Sequence, residues 1–187
     1  MTGTKILIVY GTRFGSTEGI SEKIADMLKE KEMEVNIFNL KTTLKKEIPA
    51  FDRYGSILIG TGIKMGQWTK EVREFVTEKK DELNSFQNPK GFFVSSGYAA
   101  DPDMYEKVKI EYTKYVLDRI GVKIDYFDAF GGLMDFTNSS KMSWLDKRIL
   151  KSVAKNDPKI DPNGWNDLRD WKQIKNFALG LIDLLQV

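Results

Sequence analysis

Hydrophobic positions along this chain form short solid runs that alternate with stripes at helical spacing. Lys5–Tyr10 (KILIVY) is apolar and rich in β-branched residues, and Gly11 and Gly15 punctuate its end. Such a run predicts a strand covered on both faces. Ile20, Ile24, Met27 and Leu28 then recur at helical spacing, with Ser16 or Thr17 available as the cap. Glu34–Leu40 alternates like a strand near a sheet edge, and Ser56–Gly60 and Gly91–Ser95 predict two more buried strands. Val72, Phe75, Val76 and Leu83 mark a helix. Asp101-Pro102-Asp103 has the form of a helix start, with a capping Asp and Pro in the first turn. Tyr105, Val108, Tyr112, Val116 and Ile120 give one long stripe, which Gly121 stops. Lys123–Phe130 predicts a further strand, and Trp171, Ile174, Phe177, Ala178, Leu181 and Leu185 a final helix.

Strands alternating with helices imply βαβ units, right-handed crossovers and a parallel sheet. Five strands with helices on both faces fit an α/β doubly wound fold, for which 2-1-3-4-5 is one common order. The 187 residues suit one domain, residues 1–187, with a helical insertion at 135–170. Ligands of such sheets bind outside the carboxyl ends of the strands, which directs attention to the loops after the first, third and fourth.

Composition narrows the chemistry. The chain has no Cys and no His. Disulfides, cysteine-ligated zinc, iron–sulfur clusters and thiol nucleophiles are excluded, as are a Ser-His-Asp triad and a histidine base or metal ligand. No metal site and no catalytic side chain stand out, so the chemistry belongs to something bound. Lys and Arg number 29 against 27 Asp and Glu, a net charge of +2 that makes no case for nucleic acid. No apolar run reaches the ~18 residues of a spanning helix and no signal-peptide pattern is seen, so a cytoplasmic location is expected.

The first loop is Gly11-Thr12-Arg13-Phe14-Gly15-Ser16-Thr17. It joins a buried strand to a helix N-terminus, where free N–H groups and the helix dipole favour an anion. Thr12, Ser16 and Thr17 add hydroxyl donors. Arg13 either adds charge or lies on the surface. The plain alternative is a capped turn. The chain has no G-x-x-x-x-G-K-[ST] phosphate loop and no G-x-G-x-x-G fingerprint. A receiver domain needs an acceptor Asp where Gly60-Thr61 stands. The second loop is Gly60-Thr61-Gly62-Ile63-Lys64-Met65-Gly66-Gln67-Trp68. Its glycines permit close backbone approach to a flat ligand, and Ile63, Met65 and Trp68 are apolar enough to touch a ring system. Trp68 packed into the core is the alternative. The third loop, Ser95-Ser96-Gly97-Tyr98-Ala99-Ala100-Asp101, supplies small residues, exposed amides and one aromatic ring, Tyr98. A phosphate end joined to a flat apolar slot suits flavin mononucleotide (FMN).

These loops, with FFVSSGYAADPDMYEK (92–107), FGGLMDF (130–136), WLDKRIL (144–150) and DWKQIKNFA (170–178), make the chain resemble the flavodoxin family over nearly its whole length. The likeness is greatest to the branch of menaquinone-dependent protoporphyrinogen oxidases. The resemblance implies a flavodoxin-like fold and non-covalent FMN held by Thr12, Arg13, Phe14, Gly15, Ser16, Thr17, Thr61, Gly62, Ile63, Lys64, Met65, Gly66, Trp68, Ser95, Ser96, Gly97 and Tyr98. Phe14 stands where flavodoxins usually carry the middle hydroxyl of T-x-T-G-x-T. Carrier flavodoxins are also usually acidic, whereas this chain is slightly basic.

Two redox functions follow as expectations: electron transfer through FMN to redox partner proteins, or oxidation of an organic substrate coupled to a quinone, as in the oxidase branch. A flavin-free module that kept the fold is a third. A backbone flip at Gly62 would be cheap for glycine, and Lys64 near the ring would favour an anionic reduced flavin. Ser143–Lys155 reads as a short helix with Leu145, Ile149 and Val153 on one side and Leu150 nearby. Lys147, Arg148, Lys151 and Lys155 form the polar side. It is expected either to pack on the domain with its lysines in solvent, or to make a peripheral contact, through 143–155, with an anionic membrane or an acidic partner. Met134, Phe136, Met142 and Trp144 would line an approach to the site or fasten the segment. The pattern assigns no oligomeric state.

Overall fold

A computed structural model describes residues 4–140, 142–154 and 160–185. Five parallel strands, β1 (Lys5–Gly11), β2 (Glu34–Asn39), β3 (Ser56–Gly62), β4 (Lys90–Ser95) and β5 (Tyr126–Phe130), form one sheet in the order β2-β1-β3-β4-β5. The order and the doubly wound class are those the pattern predicts. Helix α1 (Ser16–Lys29) and the last helix, α7 (Trp171–Leu185), cover one face. The other face is covered by α2 (Lys70–Glu78), α3 (Lys80–Ser85), α4 (Pro102–Lys109) and α5 (Tyr115–Ile120).

The period-2 pleat assigns each strand residue to a core. Ile6 and Ile8 point to the α1/α7 side, while Leu7 and Val9 point to the opposite side. In β4 Phe93 takes the first side and Phe92 and Val94 the second. Phe93 lies across β3 because Gly60 has no Cβ there; one would sit 2.3 Å from the Phe93 ring. Phe93, Phe130 and Phe177 then meet edge-on or tilted at centroid distances of 5.3–6.3 Å, and Tyr126 stacks on Phe177 at 4.5 Å.

Three details depart from the pattern. Each of two expected single helices is divided: the one through Val72 and Leu83 breaks at Lys79, and α4 and α5 are joined by a π turn at Ile110–Lys114. That turn is where Trp68 arrives and donates its indole N–H to Tyr112 O. A buried indole needs such an acceptor. The cap of α1 is neither Ser16 nor Thr17 but Gly15, at φ +92°. Between β5 and α7 the segment read as helical holds α6 (Trp144–Ala154) together with β6 (Leu133–Asp135) and β7 (Trp165–Asp167), which pair antiparallel. Two three-residue strands lie below what hydrophobic alternation can reveal. Gly131 permits this return, since a Cβ there would meet Leu168 O at 1.8 Å. Lys155 and Asn156–Lys159 lie outside the described residues, as does the side chain of Val153.

Phe177→Ala, at the centre of the aromatic cluster, is expected to cost about 3–5 kcal/mol. Urea unfolding should show a lower midpoint with an unchanged slope.

Candidate functional site

Register brings the three loops to one edge. Gly11 lies opposite Thr61, and Gly62 opposite Ser95, so β1, β3 and β4 end side by side. The loops after them face each other without any side chain having to arrange it.

Loop 1 is a bare helix start. Gly15 adopts the left-handed region, which glycine enters freely. No side chain caps α1, so its first-turn amides are left to an outside acceptor. Thr12 Oγ1 accepts Gly15 N–H at 3.0 Å, which leaves the hydroxyl proton free to donate. Thr17 Oγ1 is buried without a partner. Gly62 faces it: a Cβ there would stand 3.2 Å from that oxygen. Ser16 Oγ meets Ser95 Oγ at 2.8 Å and links loop 1 to loop 3. Tyr10 donates to Glu18 at 3.1 Å. Burial and the Glu18 charge push the Tyr10 phenol above its ordinary value, so it remains a donor.

Loop 2 is a hairpin turn. Lys64 and Gln67 exchange two backbone hydrogen bonds of 3.0 Å around Met65 and Gly66, both at positive φ. Positive φ at both central positions is the type I′ arrangement. Met65 is 81% exposed at its tip, and Ile63 packs toward the core. In loop 3 Ser95 and Ser96 are buried, whereas Tyr98 is half-exposed and free to cover a ring face. Gly97 leaves room for Met134, whose Cε would be 2.3 Å from a Cβ at that position.

Three of the expected cofactor side chains brace the loops instead. Trp68 is buried and stacks on Phe92 at 4.6 Å, so its ring is in the core and not in the slot. Thr61 Oγ1 is buried between Thr69 Oγ1 (3.3 Å) and Thr69 N–H (3.1 Å). Arg13 donates to Gly62 O at 3.0 Å and Trp68 O at 2.8 Å, and thereby spans the base of loop 2. Burial pulls its guanidinium down from its ordinary value, and Glu71 and Asp146 work against that. No motif announced this role, because an arginine in a phosphate loop reads first as an anion ligand. Near it, Lys64 pairs with Asp146 of α6, a partner that sequence reasoning missed across 82 residues.

The geometry is that of an α/β domain with an anion-accepting turn after β1, beside two loops whose glycines keep the backbone open to close approach. A family model described as "Flavodoxin domain" matches residues 7–161. The chain belongs to the flavodoxin family, and it is an FMN redox protein. The uncapped first turn of α1, the free proton of Thr12 and the orphaned Thr17 hydroxyl fit a phosphate. Protoporphyrinogen IX dehydrogenase [quinone] of Escherichia coli (strain K12) is 26% identical over 180 residues, 93% of this chain and 92% of that protein. Flavodoxin 1 of Bacillus cereus superposes with a TM-score of 0.57 at 14% identity, covering 96% of this chain and 98% of that one. Rubredoxin oxygen:oxidoreductase of Desulfovibrio gigas gives a TM-score of 0.61 at 14% identity. The match takes in 99% of this chain, which spans only 37% of that longer one.

Thr17→Val is expected to leave the apoprotein as stable or more so, since it removes an unpaired buried hydroxyl. The same change should weaken FMN about tenfold and riboflavin, which lacks the phosphate, far less. Arg13→Ala should weaken both flavins to the same degree, because it loosens loop 2 and not the phosphate contact. Quenching of flavin fluorescence measures all four affinities.

Proposed function

We propose that this FMN redox protein exchanges electrons with a quinone-type acceptor that approaches past α6, and that α6 touches an anionic membrane surface. The observation that carries this is the outward face of α6. Trp144 is 72% exposed, Leu145 50% and Ile149 41%. Leu145 and Ile149 are therefore not packed on the domain, as one expectation had it, while Leu150 is half-buried. Asp146, Lys147, Leu150 and Lys151 are the half-buried residues; Lys147 Nζ donates to Thr137 O, and Lys151 Nζ to Asn163 Oδ1 at 3.1 Å. Phe136 and Met142 are buried and fasten the segment, while Trp144 is left at its start. Arg148 is exposed and offers a positive charge. An aromatic ring, two aliphatic side chains and a cation on one exposed surface suit a headgroup boundary. Among the described residues no helix is long and apolar enough to cross a membrane.

In this reading Thr12, Phe14, Gly15, Ser16 and Thr17 surround the phosphate. Gly62, Ile63, Lys64, Met65 and Gly66 line one side of the ring slot, and Ser95, Ser96, Gly97 and Tyr98 the other. FMN supplies the one- and two-electron chemistry when bound. The chain's own part is to hold the amides and carbonyls of loops 2 and 3 beside the slot and to keep Arg13 locked on Gly62 O. It needs no proton-transferring His or Cys. The quinone and the tetrapyrrole in the name of the E. coli relative supply the reading's substrate classes. A second reading is transfer to a protein partner, for which the exposed Met65 and Tyr98 at the rim provide a contact surface.

Photoreduced protein is expected to reoxidise rapidly with a short-chain naphthoquinone. With a long-chain quinone in anionic vesicles, Trp144→Ser/Leu145→Ser should slow reoxidation at least tenfold while leaving the water-soluble quinone unaffected. Equal rates in both assays would return the protein to a carrier serving protein partners. Leu145→Ser/Ile149→Ser should change stability by less than about 1 kcal/mol, as exposed sites do.

A further inference from the structure

Asp146 differs from its neighbours on α6. Trp144 and Leu145 are exposed, yet the Asp146 side chain is only 15% exposed. Its Oδ2 accepts the Ser143 hydroxyl at 2.9 Å, and Ser143 Oγ accepts the Asp146 N–H at 3.1 Å. Ser143 thereby caps the first turn of α6, and its hydroxyl proton ties down the Asp146 carboxylate. The other oxygen, Oδ1, accepts Lys64 Nζ from loop 2. The Lys64 hydrogen bond, assisted by Ser143 and by the charges of Lys64 and Arg13, holds the carboxyl below its usual range.

We propose that Asp146 is a positioning residue for Lys64: by holding that ammonium on the α6 side of loop 2, it sets how much positive charge the loop presents to bound FMN, and so couples the seating of α6 to the flavin's redox preference. The proposal rests on FMN occupying the slot between loops 2 and 3.

Loop 2 leaves Lys64 little freedom except in its side chain. Its backbone is clamped by Gln67 at the tip, and Arg13 clamps the loop at the base. The ammonium therefore chooses among what its four-carbon stem can reach. Asp146 holds it now, with the Phe14 ring centroid 5.8 Å away. Without the carboxylate, Lys64 of loop 2 and Arg13 of loop 1 lose a counter-ion that acts on both, and Arg13 alone keeps a second one in Glu71. An uncompensated ammonium on the loop that lines the slot favours a reduced, anionic ring over an oxidised, neutral one. Lys64 is 38% exposed, so the pair's contribution to folding is screened on that side. Because Asp146 sits between the exposed Trp144 and Leu145 and the half-buried Lys147, a contact that tilts α6 also strains the pair.

The test uses the full chain loaded with FMN and measures redox potential by anaerobic titration, alongside FMN affinity and thermal stability. Asp146→Asn is expected to favour reduced over oxidised FMN by about tenfold, or about 30 mV on the two-electron couple, with little change in thermal midpoint. In a Lys64→Gln background the same Asp146→Asn change should give less than half that shift, because its effect runs through Lys64. Asp146→Glu should restore most of the wild-type potential. An unchanged potential in Asp146→Asn overturns the proposal. So does an equal shift with and without Lys64, which would be the direct field of the carboxylate. Failure of the wild-type chain to take up FMN overturns this proposal and the FMN reading together; uptake with an unchanged potential overturns this one alone.

Discussion

Everything at the site depends on three parallel strands ending level with one another. Backbone pairing puts Gly11 beside Thr61 and Gly62 beside Ser95, so three loops leave the sheet at one edge. Pairing in a parallel sheet is set by buried side chains on both faces, since a one-residue slip would turn each inward residue to the wrong core. Ile6, Ile8, Leu58 and Phe93 on one side and Leu7, Val9, Ile57, Ile59 and Phe92 on the other leave no alternative register with both cores filled. The site is thus a consequence of the core, and its loops are free to carry polar and strained residues.

Those loops are held by a small polar framework. Arg13 crosses from loop 1 to three carbonyls of loop 2, Ser16 reaches Ser95, and Thr61 ties the base of loop 2 to Thr69. Each brace satisfies groups that a buried or half-buried loop would otherwise leave unpaired. Unsatisfied groups at the start of α1 are its first-turn amides and the buried Thr17 hydroxyl.

The segment between β5 and α7 follows a different logic. Its buried residues, Phe136, Met142 and Asn166, fasten it, and Asn166 donates to the Met134, Asp161 and Gly164 carbonyls. Its largest apolar side chains nevertheless point outward. An amphipathic helix in a globular protein normally buries its apolar stripe. Here two lysines expected in solvent bond to Thr137 O and Asn163 Oδ1 of the same segment, while Trp144, Leu145 and Ile149 are exposed.

Much of the fold was legible in the sequence because its signals are local. Solid apolar runs, helical stripes, Asp101-Pro102 and Gly121 locate the five strands and most helices within a few residues. The strand order is one common solution for such connectivity, and the sheet adopts it. The placement of the three loops at one sheet edge was also legible, since the end of each strand fixes where its loop begins. Side-chain direction within those loops was not. Trp68 and Arg13 carry the same letters whether they face a ligand or brace the loop, and only the arrival of Phe92, Tyr112 and the loop 2 carbonyls decided between the two. The orientation of α6, the pairing of β6 with β7 and the meeting of Lys64 with Asp146 likewise belong to tertiary structure. They join residues far apart in the chain, through contacts that leave no periodic trace in the sequence.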